Sequence, residues 1–341
     1  MLCFSSFVAA LSPGRHNILH MPTRALRRTA GVFMPEGPEV TVHAERLHAT
    51  CARQQLKRAE ILSGRYAGNG AVAGRGAPPA GWQDLQRALP VTVDSVRSKG
   101  KFMYFDLEAT NVPQLTMWST LGMTGAWSLS PSEHARVLLE FSNDGDEADG
   151  SWCLYYNDQR NFGTITVCSD DNQLEAKLAS LGPSWLAPGG LTLDAFQAIV
   201  QRQCASKRSA AVPVAKFLMD QGKTSGIGNY ILSETLYLSR VYPWAKCGDL
   251  DEAAWADVHA AAADVIERSF SSQRSLAEAQ RQAEGQRRSL SVTRGTTYTF
   301  RLHVFRQAKT AQGLVVRKAD GPHKRSVFWV EELQVRGKVA E

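Results

Sequence analysis

The heptapeptide MPEGPEV at residues 34–40 places a proline beside carboxylates, a combination that could do covalent chemistry. Inside a chain, the nitrogen of Pro35 is a tertiary amide and is not nucleophilic. At a free N-terminus it is a secondary amine. An α-amino group has a pKa of about 7.7–8.0, against about 10.4 for lysine, so part of it is neutral at pH 7. A chain beginning at Pro35 would therefore carry a nucleophile at its first residue.

The same heptapeptide also fits an ordinary helix start. Pro38 suits the first turn of a helix, and Glu39 is favoured there by the helix dipole. Taken alone, the heptapeptide leaves both interpretations open, and the choice depends on motifs further along the chain.

Whether Pro35 can become the N-terminal residue depends on the fate of residues 1–33. They contain four arginines and no acidic residue, which resembles an organellar transit peptide. Two alternatives stay open: translation starts at Met34, or the segment is retained as a tail. A start at Met34 with removal of that methionine would free Pro35. The predicted location is intracellular, in the nucleus, or in a mitochondrion or plastid if the segment is a transit peptide.

Composition limits the class of protein. The chain has 341 residues, enough for two domains, and its net charge of +6 and pI of about 9.0 suit a polyanionic partner. It contains no apolar run long enough to cross a membrane, so no membrane partner is expected. The six cysteines include no CxxC pair, which argues against a disulfide scaffold and a zinc finger and favours a reducing intracellular compartment.

The first half of the chain reads as one helix followed by strands. Helical spacing over 39–52 would turn Val40, Ala44, Leu47 and Cys51 toward a core. Short β-branched segments then predict an antiparallel β-sandwich with strands at 91–96, 101–107, 114–119, 136–141, 152–157 and 164–169. Loops are predicted at 68–81, which is rich in Gly, Pro and Ala, and at 142–151, which is acidic.

From residue 170 the pattern becomes helical, with a break at 181–190 that suggests an inter-domain linker. The Arg- and Gln-rich segment 271–296 is predicted to be a loop. Strand-like alternation returns after residue 298 and predicts a small terminal β-hairpin. The fold class is thus α+β.

Further motifs follow the heptapeptide in order: SKGK at 98–101, LGMTG at 121–125, DQRNFG at 158–163, KFLMDQ at 216–221, GIGNYILSE at 226–234, and GPHKRSVFW at 321–329. The motif GIGNYILSE at 226–234 has the clearest physical interpretation. Gly226 and Gly228 let a turn present backbone N–H groups ahead of a helix N-terminus, where an anion such as phosphate binds. Each of the other motifs alone would more often be a solvated turn or a buried hairpin.

Together, over residues 34–335, these motifs resemble the formamidopyrimidine/endonuclease VIII family of DNA glycosylases. The resemblance implies a leader at 1–33, a catalytic β-sandwich domain at 34–170 and a linker at 171–190. A helix–two-turn–helix domain at 191–295 and a finger hairpin at 296–335 would follow. It implies that Pro35 is the nucleophile, that Glu36 is the acid, and that Lys101 binds the lesion's phosphate and assists elimination. Glu39 would be structural, ordering the first helical turn.

The resemblance also assigns DNA-binding residues. Met123 would fill the hole left by a flipped base, Arg160 would read the orphaned partner base, and Phe162 would wedge between base steps. Phosphates would be held by Lys216, Asn229 and Arg325. Many family members have a second arginine where this chain has Asn161, so one phosphate contact would be lost.

The implied activity is that of a bifunctional glycosylase and abasic-site lyase working by β- and δ-elimination, with no metal or redox cofactor. The absence of cysteine after Cys247 resembles the branch with a zincless finger. Three features resemble endonuclease VIII-like members: the EGPEV form, the Gly-Lys turn and the GNY order. Those members mostly remove oxidised pyrimidines and hydantoins, so these lesions are the expected substrates. Oxidised purines are an open alternative. The expected partner is double-stranded DNA with damaged bases or abasic sites, bound by a monomer.

Two rival readings remain. If Pro35 stays an amide, the chain would be a non-catalytic damaged-DNA-binding protein with salt-sensitive affinity. A ribosomal or topoisomerase-like protein could share the helix–two-turn–helix element alone. The presence of Glu36, Lys101 and Arg325 argues against this last reading.

Overall fold

The computed structural model describes residues 35–68, 76–109, 112–142, 150–284, 290 and 300–337. The predicted leader lies outside the described residues, as do residues 69–75 and 143–149 of the predicted loops at 68–81 and 142–151. Among the described residues no helix is both long and apolar enough to cross a membrane.

The first helix, α1 (Gly37–Cys51), begins directly after Pro35 and Glu36. Pro38 lies in its first turn, where the missing N–H costs nothing. The predicted apolar face is confirmed, because Val40, Ala44, Leu47 and Cys51 are buried in the core of the sheet domain. Packing of that face on the sheet fixes the position of the Pro35-Glu36 end of the helix.

Eight antiparallel strands form one continuous sheet: β1 (Gln55–Ile61), β2 (Val91–Lys99), β3 (Phe102–Ala109), β4 (Val112–Thr120), β5 (Gly125–Ser128), β6 (Ala135–Phe141), β7 (Trp152–Asp158) and β8 (Thr164–Cys168). The six predicted strands are confirmed. β1 and β5 were missed because β1 is rich in charge and β5 has only four residues. A short helix, α2 (Trp82–Ala88), precedes β2.

The strand order β5-β7-β6-β1-β2-β3-β4-β8 puts β5 and β4 far apart along the sheet, yet their side chains touch. The indole N–H of Trp127 in β5 donates to Ser119 Oγ in β4 at 3.0 Å, and the ring of Trp127 lies 5.7 Å from that of Phe105. The sheet therefore folds over on itself around one core, as the predicted sandwich requires.

The second half is helical: α3 (Asp171–Ala179), α4 (Leu193–Cys204), α5 (Lys207–Ala210), α6 (Val214–Met219), α7 (Asn229–Leu238) and α8 (Glu252–Glu284). Four of them, α4, α6, α7 and α8, share an apolar core that includes Phe196, Phe217 and Trp255. The turn between α6 and α7 carries the Gly226–Gly228 motif, and α7 begins at Asn229.

The predicted loop over 271–296 is wrong for residues 271–284, which form the C-terminal part of the 33-residue helix α8. Arg, Gln, Glu and Ala are strong helix formers, and this stretch consists largely of them. The helix also packs beside α1, where Arg274 pairs with Glu45 at 2.7 Å and Arg46 donates to Gln280 at 3.1 Å. Apart from Leu290, the rest of the predicted loop lies outside the described residues.

The predicted terminal hairpin is confirmed as β9 (Arg317–Asp320) paired with β10 (Ser326–Trp329). We call β9, β10 and their connecting turn the finger hairpin. Its second strand packs against the helical domain: the ring of Phe328, which belongs to the core of that domain, lies 5.2 Å from that of Phe305, and the ring of Trp329 lies 4.8 Å from that of Trp244. Apolar packing thus fixes the finger hairpin to the helices.

Candidate active site

Three glycines bring three distant chain segments to one point. The N–H of Gly37 donates to the carbonyl of Gly226 at 2.9 Å. A Cβ added to Gly37 would lie 2.9 Å from Gly226 Cα, and one added to Gly100 would lie 2.6 Å from Ser225 Cβ. Because only glycine permits this backbone approach, the start of α1, the β2–β3 turn and the turn before α7 converge.

Glu36 lies at that junction with its carboxylate against the N-terminus of α7. Its side-chain oxygens accept from the N–H groups of Tyr230 at 2.9 Å and Ile231 at 3.2 Å, and the residue is 3% exposed. Burial raises the pKa of Glu36 to about 8, with Glu39 adding to the rise, whereas Lys101 and the two N–H groups oppose it. Glu36 can therefore keep its proton near neutral pH, as a general acid must.

Lys101 reaches the same junction from the β2–β3 turn. Its Nζ donates to the carbonyl of Ile227 at 2.9 Å, and Gln221 Nε2 donates to that carbonyl at 2.9 Å. Gln221 Oε1 also accepts from the N–H of Gly226 at 3.0 Å, so this side chain orders the turn. Burial lowers the pKa of Lys101, and neighbouring Arg325 adds to the fall while Glu36 opposes it. Sequence reasoning assigned Gln221 no role.

Glu39 anchors the backbone next to Pro35. Its carboxylate accepts from the N–H of Glu36 at 3.0 Å, from the Tyr230 hydroxyl at 2.9 Å, and from Ser269 Oγ at 3.2 Å. Burial raises the pKa of Glu39. Three helices are joined here, because Tyr230 belongs to α7 and Ser269 to α8. The role of Ser269 was missed, since nothing in the sequence links it to residue 39.

Pro35 is buried and immediately precedes Glu36. In the 341-residue chain its nitrogen is bonded to Met34 and is a tertiary amide. Nucleophilic chemistry at this position thus requires that the peptide bond before Pro35 be cut or never made.

A cationic cleft of about 870 Å³ opens beside the junction. Three of the predicted residues line it, namely Lys101, Lys216 and Arg325, together with Arg208 and Lys223. The one carboxylate in the lining, that of Asp220, accepts from the N–H of Gly222 at 2.9 Å. Such a surface attracts a polyanion by charge.

Met123, Arg160 and Phe162 lie on two loops that touch. A Cβ added to Gly122 would lie 2.7 Å from the N–H of Gly163, so the β4–β5 loop packs on the β7–β8 loop. Phe162 is 54% exposed, and the Arg160 guanidinium lies 4.8 Å from the centre of its ring. An exposed aromatic ring beside a cation suits stacking against bases.

Asn229 contacts the finger hairpin. Its Nδ2 donates to the carbonyl of Ser326 at 2.7 Å, and its Oδ1 lies 3.0 Å from His323 Nε2. The predicted phosphate ligand thus also binds the segment that carries Arg325. The contribution of His323 was missed, because a lone histidine in a basic turn carries no sequence signal.

Glu234 joins α7 to the chain leading into the finger hairpin. Its buried carboxylate accepts four hydrogen bonds, from the backbone N–H groups of His303, Val304 and Phe305 and from His303 Nδ1, at 2.7–2.9 Å. Backbone N–H groups left unpaired in such a site cost about 1–3 kcal/mol each. Glu234 is the last residue of the GIGNYILSE motif, which by itself predicts no role for this side chain.

Replacing Glu234 with alanine is therefore expected to lower the free energy of unfolding by about 3 kcal/mol or more. It should also increase hydrogen exchange over 303–305 before global unfolding. Denaturant unfolding and exchange mass spectrometry would measure both. Glu252→Ala, an exposed carboxylate on α8, is the control, and equal stability of the two variants would contradict the anchoring role.

Two family models match the chain. The formamidopyrimidine-DNA glycosylase N-terminal domain matches residues 34–165, and the formamidopyrimidine-DNA glycosylase H2TH domain matches residues 186–280. The first contains Pro35, Glu36 and Lys101, and the second contains Lys216 and Asn229.

Curated relatives carry the same family name. The formamidopyrimidine-DNA glycosylase of Arabidopsis thaliana is 27% identical over 253 residues, covering 69% of this chain and 58% of the plant protein. The formamidopyrimidine-DNA glycosylase of Exiguobacterium sibiricum is 27% identical over 245 residues, covering 70% of this chain and 79% of the bacterial protein. The matched region thus spans little more than half of the plant relative.

Solved structures share the fold. The Lactococcus lactis Fpg in complex with abasic-site DNA has a TM-score of 0.66 at 20% identity, covering 88% of this chain and 99% of that chain. The structure of the same bacterial protein with N7-benzyl-Fapy-dG DNA has a TM-score of 0.65 at 19% identity, with the same coverage of both chains. The predicted lean toward endonuclease VIII-like members stays a prediction.

Proposed function

The chain belongs to the formamidopyrimidine-DNA glycosylase and endonuclease VIII family, and from that premise we propose that it excises oxidised bases from duplex DNA and cleaves the resulting abasic site. The observation that carries the proposal is Glu36: a buried carboxyl with a raised pKa, next to Pro35 and held by the N-terminus of α7. Its raised pKa and its position fit general acid catalysis beside a nucleophile.

The proposed reaction begins once Pro35 is the first residue. Its neutral amine attacks C1′ of the damaged nucleoside, and the base leaves with the electrons of the glycosidic bond and takes up the proton that the amine loses. Glu36 protonates the ring oxygen, the sugar opens, and an iminium joins Pro35 to C1′. The iminium makes the 2′ proton acidic, so β-elimination expels the 3′ phosphate and δ-elimination then expels the 5′ phosphate.

The DNA is proposed to lie along the cationic cleft. Lys101, Lys216 and Arg325 would neutralise phosphates around the lesion, which positions the reacting sugar. Met123, Arg160 and Phe162 would enter the duplex where the base has been extruded, since the adjoining loops bring a flexible apolar residue together with a cation and an exposed ring. This arrangement favours duplex over single-stranded DNA.

The substrate preference we propose is for oxidised pyrimidines and hydantoins, with oxidised purines as weaker substrates. The test is single-turnover excision by protein whose N-terminus is Pro35, on otherwise identical duplexes carrying an oxidised pyrimidine, a hydantoin or 8-oxoguanine. Fastest excision of the first two supports the preference. Fastest excision of 8-oxoguanine would reverse it, and strand cleavage of none of them, despite tight binding, would favour the damaged-DNA-binding alternative.

The pH dependence follows from two groups with opposite requirements. The Pro35 amine must be neutral, so the rate is expected to rise toward about pH 8 as an α-amino group loses its proton. Glu36 must be protonated, and because its pKa is raised to about 8, the rate should fall above that pH. A plot of the single-turnover elimination rate against pH should thus be bell-shaped. Its rising and falling sides give apparent pKa values that belong to the coupled pair of Pro35 and Glu36 and not to either group alone. A rate that continues to rise at higher pH would contradict the assignment of Glu36 as acid.

A further inference from the structure

The turn of the finger hairpin is tied to the first residue of α7 by one side chain. Asn229 Nδ2 donates to the carbonyl of Ser326 at 2.7 Å, and Asn229 Oδ1 lies 3.0 Å from His323 Nε2. We call these two hydrogen bonds the Asn229 clasp. Arg325 lies between the two clasped residues in sequence, and both His323 and Arg325 line the cationic cleft.

The chemistry of the partners fixes the orientation of the clasp. A carbonyl can only accept, so the amide nitrogen of Asn229 must face Ser326, and its oxygen must face His323. His323 Nε2 therefore carries a hydrogen and donates. Burial and the charge of Arg325 lower the pKa of His323, which keeps the ring neutral near pH 7. In that neutral tautomer Nδ1 bears the lone pair.

The clasp reaches the catalytic end of the cleft through Arg325. The charge of Arg325 contributes to the lowered pKa of Lys101, so the two cations lie close enough to interact. The His323 ring is folded against its own turn, since a Cβ added to Gly321 would lie 2.6 Å from His323 Cε1. A packed ring with one directed donor is a rigid support for the turn.

We propose that His323 is a positioning residue for DNA binding: by holding Asn229 it fixes the finger turn so that Arg325 faces the cleft beside Lys101. This rests on the proposed function for the ligand, a DNA phosphate, while the clasp itself does not.

The first test needs no DNA. His323→Leu removes the donor, whereas His323→Gln keeps an N–H at nearly the place of Nε2. Hydrogen exchange over residues 321–326 is expected to speed up by about tenfold in the leucine variant, as for loss of one hydrogen bond, and to return toward wild type in the glutamine variant. Unchanged exchange in folded His323→Leu would overturn the clasp.

The second test measures binding to a duplex with a non-cleavable abasic-site analogue. His323→Leu is expected to raise Kd about tenfold, His323→Gln to restore most of the affinity, and His323→Leu to add little in an Arg325→Ala background. Additive effects of the leucine and Arg325→Ala changes, or no rescue by glutamine, would overturn the positioning role.

The outcomes separate this inference from the proposed function. Failure of the wild-type protein to bind the abasic duplex would contradict the proposed function, and the exchange experiment would still decide whether the clasp exists. Faster exchange with unchanged Kd would show that the clasp has no part in binding DNA, which also overturns the positioning role.

Discussion

Replacing Glu36 with glutamine is expected to slow base excision and elimination by about 10²–10⁴-fold, the usual contribution of a positioned general acid. Glutamine has nearly the same shape, and its oxygen can still accept from the N–H of Tyr230, but it has no proton to give to the sugar ring. Single-turnover cleavage of a lesion duplex, with Pro35 as the first residue, measures the effect. Affinity for an abasic-site analogue should stay within a few-fold of wild type.

The matched control is Glu45→Gln, the same chemical change on the exposed face of α1, where the carboxylate pairs with Arg274. This variant should cleave at the wild-type rate, because an exposed ion pair contributes about 1 kcal/mol or less to stability. If Glu36→Gln and Glu45→Gln both retain wild-type rates, Glu36 is not the acid, and the bell-shaped pH profile loses its basis.

The second large effect is expected from Gly228→Ala. A Cβ on Gly228 would lie 2.1 Å from Glu36 Cδ, so the carboxylate must leave the N–H groups of Tyr230 and Ile231. Displacement of a catalytic group by about 1 Å can cost about 10²-fold in rate. The two N–H groups would also lose their partner in a buried site, so the free energy of unfolding should fall by about 1–3 kcal/mol or more.

Gly222→Ala serves as the control for this substitution. Gly222 lies in the same inter-helix turn, and its added Cβ would approach nothing closer than Asp220 Oδ1 at 3.2 Å, a side-chain atom that can move. Combining Gly228→Ala with Glu36→Gln should cost little more in rate than either change alone, because both remove the same acid. Full additivity would mean that Gly228 acts on the rate by another route.

Sequence patterns predicted local geometry, whereas the catalytic roles of Glu36 and Lys101 came from the family resemblance and stay predictions. Glu36 and Lys101 lie beside glycines that permit close backbone approach, and the Gly226–Gly228 turn precedes a helix as its sequence predicts. The buried face of α1 followed from its helical period, and six strands followed from β-branched content and turn spacing. These signals are local, because they lie within a few residues of the features that they predict.

The features that sequence reasoning missed depend on contacts between distant residues. Glu234 binds backbone groups 69–71 positions away, and His323 meets Asn229 across 94 positions. The loop predicted over 271–284 was wrong for a related reason: its polar face suggested solvent, but Arg274 pairs with Glu45 on α1 and gives the helix a tertiary partner. Such partners are determined by the folded chain, not by the local pattern.

The central claim is that a free Pro35 amine is the nucleophile, and borohydride trapping tests it most directly. Protein expressed from Met34, with its N-terminus established by intact mass, and the full 341-residue chain are each mixed with duplex DNA bearing an abasic site. We predict a covalent adduct from the form beginning at Pro35, mapped to that residue and not to Lys101, and none from the full chain. No adduct from a correctly trimmed form that binds the duplex tightly, or an equal adduct from the full chain, would contradict the claim.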